Sequence, residues 1–518
     1  MPDHHTRPGT DPPDAKTNGV GRLALRPTDD PRRQSGKPLG DADAGPRRRV
    51  ALAVADARHH LHVLGATGTG KSTLLTNLIL ADAAAGRGVA VLDPKGDLIL
   101  DVLARLPAEA ANRLVLIDPA ETLAPAALNV LDTNGQSPEL VTDRVVGVFA
   151  RLYAAYWGPR IEDVLRCACL TLTRQPPASP GETRSTAATL ADIPRLLSDP
   201  HYRATLTARI TDTTGLGGFW AWYDALTEAA RAQVIGPVMS KLRGILARRF
   251  AVDLLGASSS TFCLSDILDG GILLARLPKG VLGDDTSRLV GSLLLSGIWQ
   301  ATTARADQPE PDRLDAAVYV DECHNFMHLP GPIDDVLAEA RGYHLSLVLA
   351  HQHLGQLPRE LADAIHANAR NKAFFTSSPD DARVLARHVG PYLSAEDLTR
   401  LDRYQLACRL VAHGRDTHGF TLRARATPPV QVDHTELLRA AARARGRRDD
   451  DRRRDDLTRQ LGAPSSEHGE VVSPSIPPSV SRRVSPFALE TTRGTNGPIR
   501  SNPHVTGQEP HPTREPDS

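Results

Sequence analysis

The sequence predicts an α/β protein: a mostly parallel sheet, interrupted by an inserted all-α domain and flanked by disordered ends. Three observations carry that expectation. Short apolar runs bounded by turn residues alternate with stretches of helical spacing, the order expected of a doubly wound sheet. The alternation stops between about residues 137 and 250, where the signals are mostly helical, and then resumes. Both ends are rich in Pro, Arg, Asp and Ser and lack an apolar period.

In chain order, residues 1–48 read as a disordered segment, and 49–136 as the first part of the core. Leu61–Leu64 is a short apolar strand, Ser72–Ala85 has helical spacing through Leu74, Leu75, Leu78 and Leu80, and Val89–Leu92 and Leu114–Ile117 are buried strands. Residues 137–255 form the insertion, with helices expected over Leu140–Tyr156, Ile161–Thr173, Leu190–Leu197 and Ala230–Arg249 and breaks at Pro176-Pro177 and Gly215–Gly218. Residues 256–435 return to strands at Ile272–Leu277, Ala316–Val320, Leu345–Leu349 and Lys372–Thr376, and close on a hairpin of Gln405–Ala412 with Gly419–Ala426. Residues 436–518 read as a disordered tail. Its Arg/Asp runs within Arg443–Arg459 interleave both signs, which favours a solvated segment over a nucleic-acid contact.

Composition narrows the classes. Zero net charge gives no whole-chain signal for nucleic acid. Of 61 basic side chains only seven are Lys, so a Lys carries more information here than an Arg. Five scattered Cys form no disulfide framework and no zinc spacing, and a reducing cytoplasm is expected. The first 23 residues lack the apolar core of a secretory signal. No stretch reaches the roughly 20 apolar residues that span a bilayer. The nearest, Leu289–Ala304, contains several Ser and Thr and reads as a buried core helix. Any membrane location is expected to be peripheral and to depend on a partner.

Gly65-Ala66-Thr67-Gly68-Thr69-Gly70-Lys71-Ser72, followed by Thr73, fits G-x-x-x-x-G-K-[ST] between a strand and a helix. Backbone N–H groups from Thr67 to Ser72 can surround a triphosphate, and the helix starting near Lys71 aims its N-terminus at the anion. Lys71 is expected on the β- and γ-phosphates and the Ser72 hydroxyl on Mg²⁺. The core is therefore expected to be a RecA-like P-loop NTPase core binding ATP and Mg²⁺. Such a loop needs an acid on a neighbouring strand, and Ala316–Val320 delivers Asp321 at its C-terminal end, where ligands bind in these sheets. Asp321 is assigned to Mg²⁺ and Glu322 to the attacking water.

Two further groups are candidates. Gln352, past the strand Leu345–Leu349, is placed to sense the γ-phosphate. Arg341, or its rival Arg370, is a candidate arginine acting across a subunit interface. Cys323, His324, His351 and His353, like His59, His60 and His62, show no metal-ligand spacing and read as strand-end residues.

Together the phosphate loop, Asp93-Pro94-Lys95-Gly96-Asp97, the helical insertion, Asp321-Glu322 and the Gln352 strand resemble the conjugative coupling proteins. These are the VirD4/TraG/TraD-type ATPases within the HerA/FtsK group of DNA pumps. Trp157-Gly158-Pro159-Arg160 and Leu277-Pro278-Lys279-Gly280 add to the resemblance, which covers roughly 55–430. It implies a hexameric ring on DNA, an all-α domain that recognises DNA or the relaxosome, and transfer of DNA toward a type IV secretion channel. Lys71, Ser72, Asp321, Glu322, Arg341 and Gln352 carry over to the nucleotide site, whereas Asp93 and Asp97 match the pattern with no role derived. Many members carry N-terminal transmembrane helices that this sequence lacks. The other readings are a nucleotide-gated adaptor that recruits relaxase or effector proteins without pumping, and a phosphotransferase, which the Asp-Glu pair and the insertion oppose.

Overall fold

The computed structural model describes residues 36–43, 48–175 and 187–446. Its strands are β1 (Lys37–Ala42), β2 (Arg49–Leu52), β3 (Leu61–Leu64), β4 (Gly88–Asp93), β5 (Leu114–Ile117), β6 (Ile272–Arg276), β7 (Ala316–Val320), β8 (Leu345–His351), β9 (Asn371–Phe374), β10 (Gln405–Arg409), β11 (Val411–Ala412), β12 (Arg415–Asp416) and β13 (Phe420–Ala424). Eleven of them form one sheet in the order β2-β1-β13-β10-β9-β3-β8-β7-β4-β6-β5, and β11 pairs with β12 apart from it. Pairing is parallel from β9 to β5 and antiparallel from β2 to β9.

The parallel strands read as unbroken apolar runs because both faces are covered. Val63, Val89, Val91, Leu114, Ile272 and Tyr319 pack against the helices Lys71–Ala84 and Asp97–Leu103. The alternate residues, among them Ala90, Leu92, Val115, Leu273, Val318 and Leu347, share one apolar cluster with the helix Asp284–Thr303 and the helices of 138–255. Each fully buried Leu or Val contributes roughly 1.5–3 kcal/mol. Among the described residues, every regular element between β5 and β6 is helical. Leu289–Ala304 is indeed core, and no helix among the described residues is long and apolar enough to cross a membrane.

Two expectations at the ends need correction. Within 1–48, β1 is ordered, pairing Gly40 with Ala424 and Ala42 with Leu422. Pro38 and Gly40 read as breakers in sequence. In the structure they sit at a bulge, and a Cβ on Gly40 would lie 2.3 Å from the Arg423 carbonyl, so only Gly allows the strands to approach. Lys37 anchors this strand through a 2.7 Å ion pair with Asp82, inside the core. The second correction is a helix over residues 435–446, inside the segment assigned to the tail. Leu438 is fully buried, and Arg439 pairs with Asp118 at 2.9 Å and Glu121 at 2.5 Å. The Pro176-Pro177 break, the Arg/Asp run beyond 446 and the Ser/Pro-rich tail lie outside the described residues.

Candidate nucleotide site

Four strands adjacent in the sheet, β3, β8, β7 and β4, end side by side. Their C-terminal ends carry the phosphate loop, Gln352, Asp321-Glu322 and the Asp93–Asp97 turn. Parallel pairing therefore gathers residues almost three hundred positions apart, at the place where open α/β sheets bind ligands.

The loop leaves β3 with Gly65 N–H donating to the His351 carbonyl at 3.2 Å, and turns through Thr69 Oγ1 on the Ala66 carbonyl at 2.8 Å. Gly70 caps the helix Lys71–Ala84 at φ 121°, and a Cβ there would strike the Tyr404 ring at 2.8 Å. Ala66, Thr67, Gly68 and Ser72 are exposed at the mouth, whereas Lys71 is buried. Residues from Ala66 to Thr73 other than Thr69, with Lys95, Asp321, Gln352, Arg403 and Tyr404, line a cavity of about 230 Å³.

At its floor Lys71 Nζ stands 3.1 Å from Asp321 Oδ1 and 3.3 Å from Glu322 Oε1. Gln352 Nε2 also donates to Glu322 Oε1, while its amide oxygen accepts from Thr67 Oγ1 at 3.1 Å. Lys95 Nζ reaches the same Glu322 oxygen at 2.7 Å. Glu322 Oε2 is buried without a hydrogen-bond partner. Burial alone would raise the Glu322 carboxyl, but Lys71, Gln352 and Lys95 together hold it at about 2. Its backbone sits in the left-handed region at φ 45°, a strain of order 1–3 kcal/mol of the kind that collects at functional sites.

The structure thus brings Lys71, Glu322, Gln352, Asp321, Ser72 and the rest of the loop together. It does not bring Arg341 there. Arg341 precedes β8, at the opposite end of the strand from Gln352, roughly 20 Å away. It lines a separate cavity with Arg58, Glu310, Arg313 and Tyr343. Arg370, at the same end of β9, is held by Asp416 at 2.9 Å. Within one chain neither arginine reaches the phosphate loop.

Asp93 gains a role. Its carboxylate accepts from the backbone N–H of Lys95 at 2.8 Å and of Leu98 at 2.9 Å, so it builds the turn that starts the helix Asp97–Leu103. Burial pushes its carboxyl above the usual range. Asp97 is the first residue of that helix and lines the cavity. Sequence reasoning passed over Lys95, Arg403 and Tyr404. The scarcity of Lys was the available signal for the first. Tyr404, at φ 65° and with its N–H on the Thr69 carbonyl at 2.7 Å, gave none.

Among known proteins, a family model described as the central domain of helicase HerA matches residues 36–152, the segment with the phosphate loop. A second, described as the TraM recognition site of TraD and TraG, matches residues 315–403, the segment with Asp321, Glu322 and Gln352. No curated protein sequence matches the chain. Plasmid coupling protein TrwB in complex with a non-hydrolysable ATP analogue shares the fold with a TM-score of 0.52 at 16% identity, over 77% of this chain and 93% of that one. The unbound monoclinic form of the same coupling protein gives 0.51 at 15% identity, over 74% and 90%. One matched segment supplies the phosphate loop and the other the acid pair, and both are carried on a TrwB-like RecA-type fold, so the chain is similar to the conjugative coupling proteins and to the HerA group.

Proposed function

We propose that this chain hydrolyses ATP and couples the hydrolysis to moving DNA toward a type IV secretion channel, working as a ring of copies, with a hexamer expected. The observation that carries hydrolysis is Glu322. It is a strained, ionised carboxylate with one oxygen free, beside the phosphate-loop lysine and a glutamine that also touches the loop. That oxygen can accept a proton from a water held in line with the terminal phosphate. Lys71 would bind the β- and γ-phosphates, and Gln352, bridging Thr67 and Glu322, would register loss of the γ-phosphate at β8.

The residues fit magnesium: the Ser72 hydroxyl and the Asp321 carboxylate face one cavity. Bound there, the ion would offset phosphate charge. A trans role for Arg341 or Arg370 places either arginine on the neighbouring copy, in keeping with its distance from the loop of its own chain. We read 49–136 and 256–435 as the two parts of the core, and 137–255 as the inserted domain that meets DNA or the relaxosome. The coupling-protein families matched by sequence and fold support DNA as the cargo and relaxase or secretion components as partners.

The test is the ATPase rate of the full chain against added single- and double-stranded DNA, beside Lys71→Ala. DNA is expected to stimulate the wild type and the variant to be inactive. A rate indifferent to any DNA, from a persistent monomer, refutes the translocase.

A further inference from the structure

Two of the seven lysines in the chain close on one carboxylate oxygen. Lys71 is accounted for by the phosphate loop. Lys95 is not, because it lies outside the loop, on the turn after β4, and still stands 2.7 Å from Glu322 Oε1. A purely structural ion pair buries both partners, as Lys37 and Asp82 do. The Lys95 side chain is instead 48% exposed and lines the nucleotide cavity, while Glu322 is buried.

The backbone under Lys95 is fixed. Asp93 holds the N–H groups of Lys95 and Leu98, and the carbonyls of Asp93 and Pro94 accept from Leu277 and Lys279 at 2.9 and 3.1 Å. Only the four-carbon stem is free to swing, carrying a compact, rotatable ammonium. A terminal phosphate entering this cavity carries more charge than a carboxylate and offers three acceptor oxygens, so it competes for that ammonium.

We propose that Lys95 is a γ-phosphate-sensing latch: its ammonium is shared between Glu322 and the terminal phosphate of a bound nucleoside triphosphate, to which it transfers. The proposal rests on the reading of this cavity as a nucleotide site. Lys95 and its two companions hold the glutamate by one oxygen. Transfer of Lys95 to the phosphate frees it only when there is a phosphate to attack.

The test is equilibrium binding of ADP and of a non-hydrolysable ATP analogue, with Mg²⁺, to the full chain. Lys95→Ala is expected to weaken the analogue about tenfold while ADP stays within about twofold, and Lys95→Arg to retain most of the preference. Glu322→Gln, which removes the charge that competes for Lys95, is expected to tighten the analogue about threefold. An analogue-to-ADP ratio that is the same in wild type and in a folded Lys95→Ala overturns the latch. If Lys95→Ala does not fold, the absence of any gain in Glu322→Gln overturns it instead. If Lys71→Ala abolishes binding while Lys95→Ala leaves the ratio unchanged, the nucleotide site stands and the latch alone falls. If wild type binds neither nucleotide, both fall.

Discussion

Asp82 and Glu322 are both buried carboxylates held by two cations and a neutral donor, yet they are different objects. Asp82 is met by Lys37 and Arg87, each at 2.7 Å, and by the Tyr319 hydroxyl at 2.5 Å. All three partners are buried, and the cluster ties β1 to the helix Lys71–Ala84 and to β7. Glu322 is met by Lys71, Lys95 and Gln352, which themselves line a cavity, and it keeps one oxygen unpaired and has a strained backbone. Burial and ion pairing are therefore uninformative about function here. What separates the two is unspent hydrogen-bonding capacity among cavity-lining partners, which is the feature expected of a carboxylate with a chemical role.

The comparison breaks most sharply at Glu322 itself. Glu322→Gln is expected to lower phosphate release by about 10²–10⁴-fold, the range of a lost general base, while the unfolding midpoint moves by only a few degrees. Full activity in that variant would make Glu322 a second Asp82. Asp82→Ala should do the opposite, costing about 3–5 kcal/mol in denaturant unfolding because two buried cations lose their partner. Nucleotide affinity of the protein that remains folded should be unchanged. Lys37→Met is smaller, about 1–3 kcal/mol, since Asp82 keeps Arg87 and Tyr319. A stability unaffected by it would show that β1 is held by its ladder alone.

The smallest effect is with pH. Burial holds His60 at about 4 and His351 and His388 at about 3, against roughly 6.5 in the unfolded chain. The unfolded state thus binds more protons below about 6.5, so the stability of the neutral rings is complete above that pH and is lost as pH falls toward 3–4. Glu322, held at about 2, loses its charge only after them. Unfolding midpoints measured from pH 8 to pH 4 should decline below about 6.5, and His388→Leu should flatten the decline. An unchanged slope in that variant would remove His388 from the account.

The parallel half of the fold was legible because double-sided burial demands continuous apolar runs. Leu61–Leu64, Leu114–Ile117 and Ala316–Val320 have the bounds read from sequence. The antiparallel border was less so. β1 is six residues long, contains Pro and Gly, and owes its place to Asp82 and β13, which no local pattern encodes. The helix over 435–446 was hidden by its Arg-rich sequence, since the acids that order it, Asp118 and Glu121, lie more than 300 positions upstream. At the site, motif spacing singled out the loop, the acid pair and Gln352, which the structure brings together. Lys95 was visible only as a residue type, because its meeting with Glu322 spans 227 positions and depends on β4 and β7 being neighbours.

Arg445, near the end of that last helix, donates to the carbonyls of Leu114, Ala111 and Asn112, at and just before the outermost strand β5. An edge strand is ordinarily a template on which another chain can crystallise its own backbone. Here a guanidinium occupies part of that template from within the molecule. A neighbour adding its own strand from Leu114 onward would first have to displace that side chain.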